Sequence, residues 1–279
     1  MTQILETISE TAPVAKRLSP EEIEMYKLAF AENGYLIFRN VASGKKLAEL
    51  RDRILDEFEE AKRSGALFAG GGLLSGHLNC FTGEESRFIY NTVEAYGIID
   101  LVKAITPKAV RMPNVGGNLN LPGSVAQHYH TDRPFTNDFL IVNTAIVDND
   151  LVNGATDVLP GTNKKFYPFW KFVLGRVARG TTRLPMNAGD VLIRTSNLWH
   201  RGMPNHSMVP RPMAALTWED GGSYNEDPFK VNEGKITFFP NWFRPTKLGR
   251  LRERTFVTAP ITYSTYRFVD SLLTRKGYE

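Results

Sequence analysis

The N-terminal third of the chain has apolar residues at helical spacing, interrupted by short polar breaks. Ser19 can cap a helix, Pro20 suits the first turn, and Glu22 stands at the capping-box position. These signals predict a helix over about residues 20–32. The apolar run Tyr35–Phe38 is bounded by polar residues and predicts a short buried strand.

Two further helical segments and one loop follow. The segment 45–63 predicts a second helix, because apolar residues recur on one helical face at Leu47, Leu50, Ile54 and Phe58. Residues 66–84 are rich in glycine and polar groups without an apolar period, which predicts a loop lying over a site. The segment 88–105 returns to helical spacing and predicts one helical segment that Pro107 ends.

Between about residues 109 and 220 the pattern changes to short β-branched or apolar runs separated by turn-forming clusters. The runs are Phe139–Val147, Thr156–Leu159, Thr181–Leu184, Val191–Arg194 and Met213–Trp218. Short strands at this spacing predict an all-β sandwich or barrel. With no repeat or interdomain linker, we expect one domain over 1–279. It would comprise N-terminal helices (about 18–108), a β core (about 109–220) and a C-terminal extension (221–279).

Composition and charge exclude several classes of protein. The 34 Lys and Arg against 30 Asp and Glu give a net charge of +4, and 42% of the 279 residues are hydrophobic, which are globular proportions. The sequence has no dense basic stripe of the kind found in nucleic-acid-binding proteins. It also has no run that approaches the ~18 apolar residues of a membrane span. Cys80 is the single cysteine, and the N-terminus lacks the pattern of a secretory signal, so we expect a cytoplasmic protein.

Two histidines and an aspartate form a candidate metal site. His130 and Asp132 are two residues apart, so on an extended strand their side chains leave the same face. His200, at the end of a predicted strand, can supply a third ligand. This is the ligand set of non-haem Fe(II) oxygenases, which keeps coordination positions open. His128 lies on the same face by alternation and offers an alternative histidine pair with His130.

Arg211 is a candidate anion-binding residue. Strand alternation places Arg211, Met213 and Ala215 on one face. If that face is the core, the buried guanidinium needs an anionic partner, and its planar fork can grip a carboxylate through two parallel hydrogen bonds. A surface arginine beside a proline is the alternative.

These residues belong to a longer series of motifs that resembles the phytanoyl-CoA dioxygenase family of Fe(II)/2-oxoglutarate-dependent oxygenases. The series, with the family's order and spacing, is Pro122-Gly123, Gln127, His130-Thr131-Asp132, Asn153-Gly154-Ala155-Thr156, Leu159-Pro160-Gly161-Thr162-Asn163, Gly189-Asp190, His200, Asn205, Ser207 and Arg211. The resemblance extends over roughly residues 18–220. The motifs are specific as an ensemble and weak one by one.

The resemblance implies a mainly β fold with flanking helices around a double-stranded β-helix, a cupin-like jelly roll. It implies Fe(II) held by His130, Asp132 and His200, with 2-oxoglutarate and O2 as co-substrates. The reaction would release succinate and CO2 while hydroxylating or otherwise oxidising a C–H bond of a small molecule. Because related halogenases replace the carboxylate ligand, Asp132 disfavours halogenation.

The resemblance also assigns the co-substrate contacts. Arg211 would pair with the far carboxylate of 2-oxoglutarate, and Gln127 and Thr156 occupy positions that often contact this co-substrate in similar enzymes. Three further residues are candidates for substrate contact, each with an alternative. His128 is a substrate or supporting residue or a rim histidine, Arg133 meets an anionic substrate or forms an ion pair, and Trp199 walls the pocket or packs in the core.

Two other functional classes remain as alternatives. One is a cupin-like binding protein without turnover, against which the intact ligands and Arg211 argue. The other is a zinc hydrolase, which would leave Arg211 without a role and has no obvious general base. The sequence predicts a small-molecule partner, neither nucleic acid nor membrane, and leaves the substrate and oligomeric state open.

Overall fold

The computed structural model describes residues 17–106, 111–135, 139–166, 168–174, 180–219 and 226–274. The helices in these ranges are α1 (Pro20–Asn33), α2 (Gly44–Arg63), α3 (Arg87–Ala95), α4 (Ile98–Ile105), α5 (Phe169–Leu174), α6 (Lys247–Thr258) and α7 (Pro260–Leu273). The strands are β1 (Tyr35–Phe38), β2 (His77–Phe81), β3 (Asn114–Asn120), β4 (Leu140–Ala145), β5 (Thr156–Val158), β6 (Thr182–Leu184), β7 (Val191–Thr195), β8 (His200–Arg201), β9 (Arg211–Trp218) and β10 (Thr237–Pro240).

These strands form two antiparallel sheets. The larger sheet has seven strands in the order β1-β7-β4-β9-β3-β2-β10, and the smaller has three in the order β6-β5-β8. Non-consecutive strands are neighbours in both sheets, as expected when the chain crosses repeatedly between the two layers of a jelly roll. The predicted jelly-roll core with flanking helices is therefore confirmed.

Alternation along the strands separates a helix-covered face from a cavity-lining face. On β9, Ala214 and Leu216 join the main hydrophobic core, whereas Met213 and Ala215 face inward with Arg211. The apolar stripe of α2 packs into the same core, and its four predicted members, Leu47, Leu50, Ile54 and Phe58, are all buried. The N-terminal helices thus cover the outer side of the large sheet.

The start of α1 has the predicted capping box. The Ser19 hydroxyl accepts a hydrogen bond from the Glu22 backbone N–H at 3.2 Å, and the Ser19 N–H donates to the Glu22 carboxylate at 2.7 Å. The predicted single segment 88–105 is instead two helices, α3 and α4. Gly97, between them, adopts φ +84°, which favours glycine and interrupts the helix.

The predicted loop 66–84 is wrong in part, because β2 lies within it. His77 and Asn79 line the interior cavity, and these polar residues alternate with the buried apolar side chains of Leu78 and Cys80. A strand whose polar side chains face a cavity lacks the continuous apolar run by which a fully buried strand is recognised in a sequence.

The C-terminal extension packs back onto the core. Within it, Glu253 is completely buried, and Arg267 donates to the Tyr129 carbonyl at 3.1 Å. In the described part of the chain, no helix combines the length and hydropathy needed to cross a bilayer. The predicted boundaries near 108 and 220 fall outside the described residues, and the single-domain organisation stays a prediction.

Candidate metal centre

Backbone pairing brings His130 and His200 together. Each donates its N–H to the other's carbonyl at 3.0 Å, forming an antiparallel bridge. Side chains of such directly opposed residues project to the same side, and the two imidazole ring centroids are 4.5 Å apart. The pair is thus built by main-chain register.

Asp132 completes the cluster from the same segment. Its N–H donates to the Ser196 carbonyl at 3.1 Å, and its Oδ1 lies 3.5 Å from His200 Nε2. One potential ligand atom from each of His130, Asp132 and His200 lies within 4.8 Å of the others. The structure therefore brings together the three residues that were predicted as metal ligands.

Hydrogen bonds donated to backbone carbonyls fix the orientation of both imidazoles. His130 Nδ1 is 2.8 Å from the His128 carbonyl, and His200 Nδ1 is 2.9 Å from the Leu198 carbonyl. A carbonyl accepts only, so each Nδ1 carries the proton and each Nε2 keeps a lone pair. This is the arrangement of metal-ligating histidines, whose second nitrogen donates to a carbonyl or carboxylate.

Arg194, on β7, is a site residue that the sequence interpretation missed. Its guanidinium hydrogen-bonds Asp132 Oδ2 and also donates to Asn143 Oδ1 at 3.3 Å. Burial alone would raise the pKa of Asp132, but the charge of Arg194 holds it well below its usual value. The carboxylate is therefore ionised, with Oδ1 toward the histidines.

Burial and the adjacent His200 hold the pKa of His130 well below its ordinary value, so this imidazole is neutral. Two imidazoles that each present Nε2, together with one carboxylate, are donors suited to a divalent first-row metal. The donor set and the orientation of both rings fit an Fe(II) ion, although other first-row metals accept the same ligands.

The three residues line a cavity of about 730 Å³ between the two sheets. Arg211 lies in the same wall, at the start of β9, and is only 3% exposed. Its guanidinium donates to Asn118 Oδ1 at 3.1 Å and to the Gly154 carbonyl at 3.2 Å, and its Nε has no partner. No carboxylate among the described residues forms an ion pair with it.

This uncompensated charge makes Arg211 a candidate anion-binding residue. Desolvation, with the nearby charge of Arg183, lowers the pKa of Arg211 to about 10, so it is still a cation at neutral pH. A buried guanidinium whose only partners are neutral acceptors retains donors for a ligand carboxylate.

The other two predicted co-substrate residues also line the cavity. Thr156 belongs to β5, and the Gln127 Oε1 accepts from the Gly202 N–H at 2.7 Å. His77, which the sequence interpretation assigned to a loop, lines the same wall. Its Nε2 donates to the Val125 carbonyl at 2.7 Å, and burial lowers its pKa to about 4, which keeps it neutral.

The three residues that were predicted to contact the substrate lie in different environments. Arg133 lines the cavity and pairs with Glu219 at 3.2 Å. Trp199 is fully buried against Tyr129 and does not line the cavity.

His128 also lies away from the cavity wall, stacked on Tyr263 with ring centroids 5.0 Å apart. The prediction that it shares a face with His130 and Asp132 is wrong. Outside the His130 bridge, residues 127–132 do not form a regular strand, so strict alternation does not apply.

Comparisons with known proteins agree with this fold. The sequence model of the family described as phytanoyl-CoA dioxygenase matches residues 30–213. The structure of the epimerase SnoN in complex with Fe3+, alpha ketoglutarate and nogalamycin RO is 18% identical, with a TM-score of 0.52 over 75% of this chain and 94% of that one. The non-heme alpha ketoglutarate dependent carbocyclase SnoK from nogalamycin biosynthesis is 16% identical, with a TM-score of 0.54 over 75% and 87%. AviO1 from Streptomyces viridochromogenes Tue57 is 14% identical, with a TM-score of 0.53 over 75% and 100%.

Proposed function

This chain belongs to the phytanoyl-CoA dioxygenase family, and from that premise we propose that it is an Fe(II)- and 2-oxoglutarate-dependent oxygenase. It hydroxylates or otherwise oxidises a C–H bond of a small-molecule metabolite and releases succinate and CO2. His130, Asp132 and His200 hold the iron, and Arg211 binds the far carboxylate of 2-oxoglutarate.

One observation carries the proposal: a buried arginine without a carboxylate partner shares a cavity with the two-histidine, one-carboxylate cluster. A metal site alone would suit a hydrolase equally well. A zinc hydrolase has no use for Arg211, whereas a dicarboxylate that reaches from the metal to the cavity wall uses both features. Gln127 and Thr156, in the same wall, add polar contacts for this co-substrate.

The residues of the chain have separate tasks. Bound Fe(II) would supply the oxygen activation that couples decarboxylation of 2-oxoglutarate to oxidation of the substrate. Arg194 keeps Asp132 ionised and directs its Oδ1 toward the histidines. The carbonyls of His128 and Leu198 hold the ligand imidazoles with the proton on Nδ1, so that Nε2 can bind the metal. Arg211 orients the co-substrate by gripping one end.

The test measures succinate formed by the purified protein with Fe(II), ascorbate and 2-oxoglutarate, together with Fe(II) affinity under anaerobic conditions. Losing one of three ligands disrupts the metal geometry. We therefore expect His130→Ala, Asp132→Ala and His200→Ala each to remove nearly all turnover and to weaken metal binding, with the fold retained.

His206 provides a matched control, because it is an exposed histidine that does not line the cavity. His206→Ala should match the wild type in both measurements. Wild-type rates in any of the three ligand variants would contradict the metal assignment. Binding of Fe(II) and 2-oxoglutarate without any succinate would instead identify a cupin-like binding protein. The expected partner is a small molecule, and the cytoplasmic location stays a prediction.

A further inference from the structure

The C-terminal extension supplies part of the cavity wall. The family match ends at residue 213, yet the wall includes five side chains from beyond residue 226, namely Val231, Asn232, Phe239, Asn241 and Trp242. The metal cluster and Arg211 lie within the matched region, where the shared chemistry resides. The wall built by the extension therefore distinguishes this chain's cavity from the matched core.

Trp242 stands beside the metal cluster in a fixed orientation. Its ring meets the ligand His130 edge to face, with centroids 5.0 Å apart and planes at 89°. From behind it is supported by Phe243 and Phe256, at centroid distances of 6.4 and 6.0 Å. An indole held by packing offers a preformed aromatic surface next to the reacting centre.

Two further apolar side chains in this wall are exposed to the cavity. Phe239 and Val231 line the cavity and are 43% and 45% exposed. Large apolar side chains that remain exposed inside a concave site gain free energy when an apolar ligand covers them. The wall is therefore suited to a ligand with a flat apolar face.

Among the described lining side chains, every charged group except Arg211 has an oppositely charged partner. Arg133 pairs with Glu219, and Arg194 pairs with Asp132. The described lining contains no lysine, and its three histidines are the metal ligands and His77, which burial keeps neutral. Once Arg211 holds the co-substrate, the described wall has no unpaired cation for an anionic substrate, and Glu219 would repel one.

Neutral polar groups complete the lining. The amides of Asn79, Asn232 and Asn241 line the cavity near the aromatic side chains. Amides both donate and accept hydrogen bonds, so they match hydroxyl or carbonyl groups without requiring charge.

We propose that the extension selects the substrate, and that the substrate is an uncharged, ring-containing molecule with hydroxyl or carbonyl groups that stacks on Trp242. This inference rests on the proposed function and adds the substrate class. It predicts that carboxylates, phosphates and CoA esters bind less tightly than uncharged ligands of the same shape.

The experiment compares 2-naphthol with 2-naphthoate as an uncharged and an anionic two-ring probe at pH 7. Calorimetric titrations use the full-length protein loaded with Co(II) and 2-oxoglutarate, so that no turnover consumes the complex. We expect 2-naphthol to bind about tenfold or more tightly than 2-naphthoate, since burying an unpaired carboxylate is costly. Trp242→Ala should weaken 2-naphthol binding about fivefold or more, and Trp242→Phe by less, because stacking is lost or reduced.

Two further variants sharpen the result. Trp170 lies on α5 and does not line the cavity, so Trp170→Ala should bind 2-naphthol as the wild type does. Glu219→Gln releases Arg133 from its partner and should increase the affinity for 2-naphthoate. Equal or tighter binding of 2-naphthoate by the wild type, or undetectable binding of 2-naphthol, would overturn the proposal. So would an affinity for 2-naphthol that changes less than about twofold in Trp242→Ala.

Co-substrate binding separates this inference from the function on which it rests. If the wild type forms no succinate and does not bind 2-oxoglutarate, the oxygenase proposal itself fails. If both persist while the selectivity for 2-naphthol is absent, only the proposed substrate class is wrong.

Discussion

At the scale of single residues, we propose that Arg194 supports the metal site without being a ligand. Arg194→Gln removes the charge beside Asp132, so the pKa of that carboxyl should rise and its orientation should loosen. We expect Fe(II) affinity to fall about 10- to 100-fold, the range for partners of metal ligands. Anaerobic metal titration of the apoprotein measures this, and Arg194→Lys should restore part of the loss.

Arg39 provides the control for the Arg194 variant, since it also pairs with a buried carboxylate, Asp190 at 2.6 Å, but does not line the cavity. Arg39→Gln can reduce stability and should leave metal affinity unchanged. A metal affinity that is equal in Arg194→Gln and the wild type would remove Arg194 from the site.

Variants of Arg211 test co-substrate binding independently of metal binding. Truncating one partner of a buried ion pair costs about 2–5 kcal/mol, so Arg211→Ala should weaken 2-oxoglutarate binding very roughly 30-fold to several-thousand-fold. Arg211→Lys keeps the charge without the fork and should fall between alanine and the wild type. Calorimetric titration of 2-oxoglutarate measures the effect. Fe(II) affinity without 2-oxoglutarate should hardly change, and a loss of less than about threefold in Arg211→Ala would place the co-substrate elsewhere.

At the scale of elements, α6 holds the glycine-rich segment that leads into β2. The buried Glu253 carboxylate accepts hydrogen bonds from the Gly72 N–H at 3.3 Å, and from the Ser75 N–H and hydroxyl at 2.8 Å each. Glu253→Ala leaves these donors buried without an acceptor, at about 1–3 kcal/mol per unsatisfied group. We expect the free energy of unfolding to fall by at least ~2 kcal/mol in denaturant titrations.

Glu253→Gln keeps one acceptor oxygen and should lose less stability than the alanine variant. The exposed Glu24 supplies the comparison, because its one ion-pair partner among the described residues is Lys27 on the same helix. Glu24→Gln should change the free energy of unfolding by less than ~0.5 kcal/mol. Similar stability losses in Glu253→Ala and Glu24→Gln would show that α6 does not hold the segment.

At the scale of the whole molecule, buried neutral histidines should make the fold sensitive to acid. Burial and the Arg211 charge lower the pKa of His77 from 6.5 to about 4, so between these values the unfolded chain binds more protons than the native one. Stability contributed by this group is complete above pH 6.5 and is lost as pH falls toward 4. Burial lowers the pKa of His128 in the same direction.

The variant His77→Gln tests this acid sensitivity. Its amide can still donate to the Val125 carbonyl, but it does not titrate. Denaturant midpoints at several pH values should therefore fall less steeply on acidification in the variant than in the wild type. Parallel pH profiles would show that His77 is not buried in its neutral form.

Local patterns in the sequence determined the helix faces, the grouping of residues on one face of β9 and the set of candidate metal ligands. A helical or strand period is set by neighbours a few residues apart, so Leu47 and Leu50 are recognised as core residues, and Arg211 is placed on one strand face with Met213 and Ala215. The motif His130-Thr131-Asp132 is equally local, and its chemistry limits the metals it suits.

Tertiary structure alone decided which distant groups complete the site. Asp132 and Arg194 are 62 residues apart, and their pairing depends on the register between two segments rather than on any local period. Packing of the extension likewise turned His128 onto Tyr263 and set Trp242 against His130. A periodic pattern specifies which face of an element is buried, but the residues that meet that face depend on the whole fold.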